Sequence, residues 1–199
     1  MSDALWISNA VLWLVVLALA AVVAALVRQI GVLHERLRPV GALALGSGPE
    51  VGALAPRAAA TELSGAAVAV GGPDPEGRDT LLFFLSPTCP VCKALLPALA
   101  SLARSEGLRV VLASDGARDE HAAFAAREHI ALPYVLGTEL GLAYRVGKLP
   151  WAALVDAEGV LRAQGLVNTR EHLESLLEAK ARGVASIQAY LERERKGAA

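Results

Sequence analysis

Two cysteines, Cys89 and Cys92, are the only ones in the chain of 199 residues, and they follow the apolar run Thr80 to Leu85 after the short segment Ser86-Pro87-Thr88. This arrangement limits the folds available to it. The run (TLLFFL) reads as a strand buried on both faces, and a helical signal continues from Cys89 to Ser105. A disulfide scaffold needs more cysteines spread along the chain. A closed zinc site needs four ligands, commonly in two pairs. The remaining reading is a reactive pair at a strand-to-helix turn. There the first sulfur meets the free N–H groups and positive end of the helix dipole, which stabilise a thiolate and lower its pKa. Pro90 suits the first helical position, where its missing N–H costs little. Cys92, one turn later, lies close enough to bridge to Cys89 and should be the less exposed sulfur.

The expected chemistry is thiol–disulfide exchange, in which Cys89 forms a mixed disulfide with a substrate sulfur and Cys92 resolves it. The Cys89–Cys92 disulfide is then the redox element, and no further cofactor and no metal are expected. Lys93 adds a nearby positive charge, which counts neither for nor against this chemistry. Downstream, Lys148-Leu149-Pro150-Trp151 precedes another strand. Beside a C-x-x-C turn, a proline at that position is expected to be cis and to face the cysteines, exposing the Leu149 backbone to an extended substrate. The expected catalytic residues are thus Cys89, Cys92 and Pro150, with Leu149, Pro90 and Thr88 as substrate contacts. His34, His121, His129 and His172 are scattered and read as surface or helix-end residues rather than ligands.

Residues Ala4 to Val27, 24 in all, carry no charged side chain. As a helix they would span ~36 Å, more than the ~30 Å hydrocarbon core of a bilayer. No Lys or Arg precedes the run, and its one A-x-A sequence lies inside it, so a membrane anchor is expected rather than a cleaved signal. Trp6 and Trp13 suit an interface. Arg28, Arg36 and Arg38 follow the run and favour a cytoplasmic C-terminal domain by the positive-inside rule. Charge bias is weak for one span followed by a long domain, and a disulfide catalyst is more useful in an oxidising compartment. The expectation is therefore a single pass through the inner membrane with the domain in the periplasm. Charges elsewhere are mixed, the net charge is −1, and no basic stripe invites nucleic acid.

The expected organisation is a transmembrane helix with juxtamembrane extension over 4–38, a linker and domain start over 39–60, an α/β domain over 48–185, and a C-terminal helix and tail over 186–199. Leu26, Ile30, Leu33 and Leu37 continue an apolar stripe that Pro39 and Gly41 end. Val40 to about Ala60 reads as a linker rich in Gly, Ala and Pro. Strands are expected at Val68–Val70, Leu108–Ala113 and Tyr134–Leu136. A hairpin is expected from Trp151–Val155 and Val160–Gln164 around Gly159. Helices are expected at Arg118–His129, with Ala122, Phe124 and Ala125 inward, and at Glu139–Tyr144. Another should follow Asn168, its cap, with Glu171 completing a capping box and Leu173, Leu176 and Leu177 inward. Val184, Ile187 and Leu191 give a last amphipathic stretch. Alternating elements imply a central sheet covered by helices.

The C-x-x-C turn, Pro97 five residues after Cys92 and Pro150 before a strand resemble the thioredoxin superfamily. The long stretch between Cys92 and Pro150 leaves room for the extra strand–helix pair of its membrane-tethered TlpA/ResA-like branch. That resemblance implies a thioredoxin-like mixed central sheet flanked by helices. The segments LLFFLSPTCPVCKALLP, ASDG, PYVLGTELGLAYRVGKLPWAALVD and GLVNTREHLESLLEA are further similar to the MauD family of methylamine utilisation proteins, as is RQIGVLHERLRPVGAL. This implies a role in maturing methylamine dehydrogenase, whose small (beta) subunit is disulfide-dense and carries a quinone made from tryptophans, alongside a polytopic membrane companion. Reduction of another client such as apocytochrome c, or a tethered chaperone with incidental cysteines, are the alternatives. Two positions depart from the wider superfamily. Phe83 stands where thioredoxins place a buried carboxylate, and Leu95 where the ResA-like branch has a Glu. No side chain is thus evident to take the proton of Cys92, and the direction of electron flow is open.

Overall fold

The computed structural model describes residues 2–36 and 48–184, with side chains at 5–23 and 48–184. The chain divides into two units, 1–39 and 40–199. The first contains one helix, α1 (Ser2–Arg36). Its stretch Leu5–Val23 has mean hydropathy 2.3 and is long and apolar enough to cross a membrane. All its side chains are exposed, as a surface suited to lipid would be. The apolar stripe expected from Leu26 to Leu37 and the stop at Pro39 and Gly41 lie outside the described side chains.

The second unit is built on one seven-stranded sheet. In chain order its elements are β1 (Ala58–Glu62), β2 (Ala67–Val70), β3 (Thr80–Phe84), α2 (Pro90–Ser105), β4 (Arg109–Ser114), α3 (Arg118–Arg127), β5 (Tyr134–Leu136), α4 (Thr138–Ala143), β6 (Trp151–Val155), β7 (Leu161–Leu166) and α5 (Arg170–Ala181). The strand order is β2-β1-β5-β4-β3-β6-β7. The centre, β3, β4 and β5, is parallel, and the flanking strands run antiparallel. All five residues of β3 are buried, which explains why its sequence is continuously apolar rather than alternating.

Alternation along β3 divides the core. Leu81, Phe83 and Leu85 pack with Cys92, Leu95, Leu99 and Leu102 of α2 and with Leu173 and Leu176 of α5. Leu82 and Phe84 pack on the other face with Leu140, Tyr144 and Trp151. The apolar stripe of α2 thus seats the cysteine-bearing helix on the sheet, and register brings Phe84 of β3 opposite Trp151 of β6.

Several expectations need correction. Residues 48–60, expected as the linker's end and the domain's start, pack on the domain: Gly52 N–H donates to the Leu161 carbonyl (2.7 Å), Ala55 N–H to that of Gly159 (2.8 Å), and Gln164 Nε2 to that of Pro49 (2.7 Å). Strand β1 (AAATE) then joins β2 to β5. Alanine carries no clear burial signal, so this strand was invisible to patterning. In α3, Ala122 is exposed and His121 takes the inward position with Phe124. His121 and His172 lie near the N-terminal ends of α3 and α5, as helix-end residues, and both are buried rather than at the surface. The cap of α5 is Thr169, not Asn168. Thr169 Oγ1 accepts the His172 N–H at 3.4 Å, while the Asn168 N–H is taken by His172 Nδ1 at 3.2 Å. The three-residue spacing from cap to N3 therefore runs one residue later than expected. Leu173 and Leu176 are buried and Leu177 is half-buried. Of the last amphipathic stretch, Val184 is buried in the core, and Ile187 and Leu191 lie outside the described residues.

Two buried carboxylates pin the loops at the far end of the sheet. Burial pushes Asp74 up, but the Arg78 backbone N–H and guanidinium, with Arg109, more than offset this, and the carboxyl titrates below its ordinary value of 3.8. Asp156 in the β6–β7 turn behaves alike: burial raises it, while the Val160 N–H and Arg162 win and lower it. Gly159, in the same turn, has φ +85°, and a Cβ there would meet Gly72 backbone at 2.7 Å. A depressed folded pKa gives stability that is present above the unfolded pKa and lost as pH falls through the folded one. Thermal unfolding should therefore be insensitive to these groups near neutrality and weaken below about pH 4. Asp156→Asn should lower the neutral-pH midpoint and flatten that acid limb. Parallel acid limbs for the two proteins would contradict the assignment.

Candidate active site

The reactive turn is positioned by the end of β3. The Leu85 N–H donates to the Ala113 carbonyl at 3.0 Å, and the chain then leaves the sheet. Ser86 organises the turn: its Oγ accepts the Thr88 N–H at 3.3 Å and lies 2.9 Å from Thr88 Oγ1, and its carbonyl accepts the Cys89 N–H at 3.1 Å. Such local bonds are what Ser and Thr supply at turns. Cys89 is the N-cap of α2, with extended backbone (φ −84°, ψ 110°), and Pro90 is the first helical residue. Cys89 Sγ accepts the Cys92 N–H at 3.2 Å. The sulfur thus occupies the place where a cap oxygen usually sits, with the helix dipole behind it.

Cys89 and Cys92 form a disulfide, with Cα atoms 5.3 Å apart. Cys92 is 0% exposed, while Cys89 is half-buried. Of the two sulfurs, Cys89 is thus the one open to a partner. No acidic side chain stands in the first turn of α2, so nothing there opposes a sulfur anion. Lys93 Nζ lies 5.8 Å from the centroid of the Phe124 ring, where Arg127 Cζ also sits at 5.7 Å. Pro97 lies inside α2, and Phe83 and Leu95 are buried among apolar side chains.

The Leu149–Pro150 peptide is cis. Because Trp151 is opposite Phe84 in the antiparallel β3–β6 pair, Pro150 falls just beyond the end of β3, at the edge of the sheet from which the cysteine turn departs. Its carbonyl accepts the Val167 N–H at 3.0 Å. Leu149 is 40% exposed and Val91 38%, and Thr88 and Pro90 are exposed. Leu149 also lines a cavity of about 410 Å³ with Leu85, Ser114, Asp115, Gly141 and Lys148. Topology thus brings every expected site residue to one end of the sheet.

Sequence reasoning missed the polar groups beneath the turn. Ser114 Oγ donates to the Leu85 carbonyl at 2.8 Å. His121 Nδ1 lies 2.6 Å from Tyr134 Oη, and Nε2 lies 2.8 Å from the Asp115 carbonyl. The i, i+3 spacing of His121 and Phe124 was the available signal, since it places both on one helical face. Among the described residues no three His, Cys, Asp or Glu side chains converge as a metal site requires.

Residues 51–164 match the AhpC/TSA family. Over 200 aligned residues the chain is 46% identical to the methylamine utilization protein MauD of Paracoccus denitrificans, covering 100% of both. It is 50% identical over 185 residues to MauD of Methylorubrum extorquens, covering 92% of this chain and 90% of that one. Among solved structures, the thioredoxin domain of a thiol-disulfide oxidoreductase from Bacteroides vulgatus superposes with TM-score 0.55 at 18% identity, covering 65% of this chain and 96% of that chain. A thioredoxin-like protein from Aeropyrum pernix gives TM-score 0.52 at 16% identity, with 62% and 89% covered. These likenesses establish the fold.

Proposed function

The chain belongs to the AhpC/TSA family and, more narrowly, to the MauD family of methylamine utilisation proteins, and from that premise we propose that it is a membrane-anchored thiol–disulfide oxidoreductase that matures the small subunit of methylamine dehydrogenase. The observation that carries the reading is the Cys89–Cys92 disulfide at the N-cap of α2, at the end of the sheet where the β3–β6 register also puts the Leu149–Pro150 segment. A client thiolate attacks Cys89 Sγ, the Cys89–Cys92 bond breaks, and Cys92 leaves as a thiolate. A second client thiolate then attacks the client sulfur of the mixed disulfide and Cys89 leaves. The client has lost two electrons and two protons, and the cysteine pair has gained them.

The same steps run in reverse, so the pair can also reduce or rearrange a wrong disulfide. The direction follows from its potential relative to the client and to the electron partner, with ~30 mV equal to a tenfold change in equilibrium. The helix N-terminus lowers the leaving-group pKa of Cys89 and speeds its release. Leu149, Pro90 and Thr88 receive the client backbone. Helix α1 anchors the domain at the inner membrane on the periplasmic side, where the small subunit acquires its bridges, and a polytopic membrane companion exchanges electrons with the pair. The exposed apolar stretch Leu5–Val23 supports the anchor.

Replacing both Cys89 and Cys92 with serine tests the chemistry. In cells growing on methylamine, the double variant should leave the small subunit under-oxidised, read as extra alkylated cysteines by mass spectrometry. A fully bridged small subunit and undiminished growth would instead indicate a scaffold whose cysteines are incidental.

A further inference from the structure

Gly141 lies inside α4, where glycine is the costliest residue after proline. Two circumstances commonly retain a glycine: a left-handed φ, or a neighbour so close that no Cβ fits. Gly141 has neither. Its φ is not positive, and a Cβ built on it would meet nothing within 4 Å. Gly147, in the segment before Pro150, is alike in both respects. Both glycines line the same cavity, of about 410 Å³. What they have in common is the open space in front of them.

That cavity is continuous with the exchange site. Leu85, the last residue before the reactive turn, and Leu149, which precedes the cis Pro150, both line it. The rest of its apolar wall, Phe84, Ala113 and Val146, belongs to the layer under α4 and not to the layer that seats α2. Its polar groups are few. Ser114 Oγ is already engaged with the Leu85 carbonyl, and Asp115 and Lys148 are exposed residues. A cavity of this size, with an apolar wall and few polar groups, is the form in which proteins receive an apolar group. A client held at Cys89 and extended along Leu149 presents its side chains to alternate sides, and this is the apolar space that Leu149 borders.

We propose that the cavity is a client subsite that takes a large apolar or aromatic side chain next to the client's reacting cysteine, and that Gly141 and Gly147 determine specificity by keeping it clear. The subsite rests on the exchange chemistry above and adds to it the kind of client sequence the site prefers. Selectivity is thereby assigned to α4, an element that carries neither sulfur.

The test uses the reduced full chain in detergent and disulfide probes. One is the small disulfide dithionitrobenzoate. The others are two pentapeptides whose central cysteine is capped with thionitrobenzoate and flanked on both sides by tryptophan or by serine. Cys89 attacks the peptide sulfur, thionitrobenzoate leaves as a coloured thiolate, and Cys92 then displaces the peptide thiol, so the pair is oxidised as the probe is reduced. The wild type should react with the tryptophan peptide about tenfold faster than with the serine peptide. Gly141→Phe, whose ring fills the cavity, should bring that ratio to within about twofold. Gly141→Ala should also lower the ratio while its thermal midpoint holds or rises, because a helix favours alanine and the methyl enters open space. A glycine kept for packing alone would not gain stability and lose discrimination together. If Gly141→Phe does not fold, Gly141→Ala decides alone. Equal rates for the two peptides in the wild type, or a wild-type ratio in the folded Gly141 variants, overturn the subsite and leave the exchange chemistry intact. A reduced chain that reacts with no probe, dithionitrobenzoate included, overturns the functional reading, and the subsite with it.

Discussion

Cys92→Ser is expected to abolish turnover and to leave Cys89 joined to its client in a stable mixed disulfide. Cys92 is fully buried behind Cys89, and its backbone N–H already donates to the Cys89 sulfur. In the mixed disulfide, Cys92 Sγ is therefore held one helical turn behind the bond it must break. Serine keeps that geometry and removes the nucleophile, because a hydroxyl is not ionised near neutrality and attacks sulfur poorly. Resolution then depends on outside thiols. Non-reducing electrophoresis should show an adduct that dithiothreitol dissolves, and mass spectrometry of the adduct should identify a peptide of the methylamine dehydrogenase small subunit. Apocytochrome c in the adduct would replace the client while keeping the mechanism. Wild-type maturation with no adduct would remove the mechanism itself.

The largest stability effect is expected at Phe83, which is 0% exposed at the centre of the most buried strand. It is opposite Leu112 on one side and Ala152 on the other, and it packs in the cluster that holds Cys92, Leu95 and Leu99. Phe83→Ala removes the ring's burial and leaves a cavity that strands bonded on both edges cannot close. The cost should be about 3–5 kcal/mol, or on the order of 10 °C in the thermal midpoint for a domain of this size. Circular dichroism of the full chain in detergent measures it, with Phe83→Leu expected to fall between. A loss below about 1 kcal/mol would mean that the site collapses freely, contrary to its fixed register. Phe83 also explains a chemical feature. The apolar packing under the cysteines leaves no carboxylate at this strand position, so the proton of Cys92 must pass to water or to the client as the pair turns over.

Where side-chain type alone decides local conformation, the reading from residues was accurate. Thr80 to Leu85 could only be a two-face-buried strand, the cysteine spacing and Pro90 located the helix start, and Gly159 located the hairpin. Each depends on periodicity, on a missing N–H or on an allowed φ, all of which are local properties. Strand β1 escaped because alanine is indifferent to burial. The α5 cap shifted by one because Asn168 and Thr169 are both good caps and the His172 side chain claimed the Asn168 N–H. The burial of His121 and His172 escaped for a related reason: polarity predicts exposure only until a fold supplies partners.

The order of residues along the chain determined that two sulfurs would meet at a helix start and that an apolar helix would precede the domain. Tertiary structure alone decided which sulfur faces outward, since α2 has to seat Cys92 against β3 to bury its leucines. It also decided that Pro150 lies beside the turn, because β6 pairs with β3 across an interval of more than sixty residues. Strand pairing between distant segments leaves no local signature.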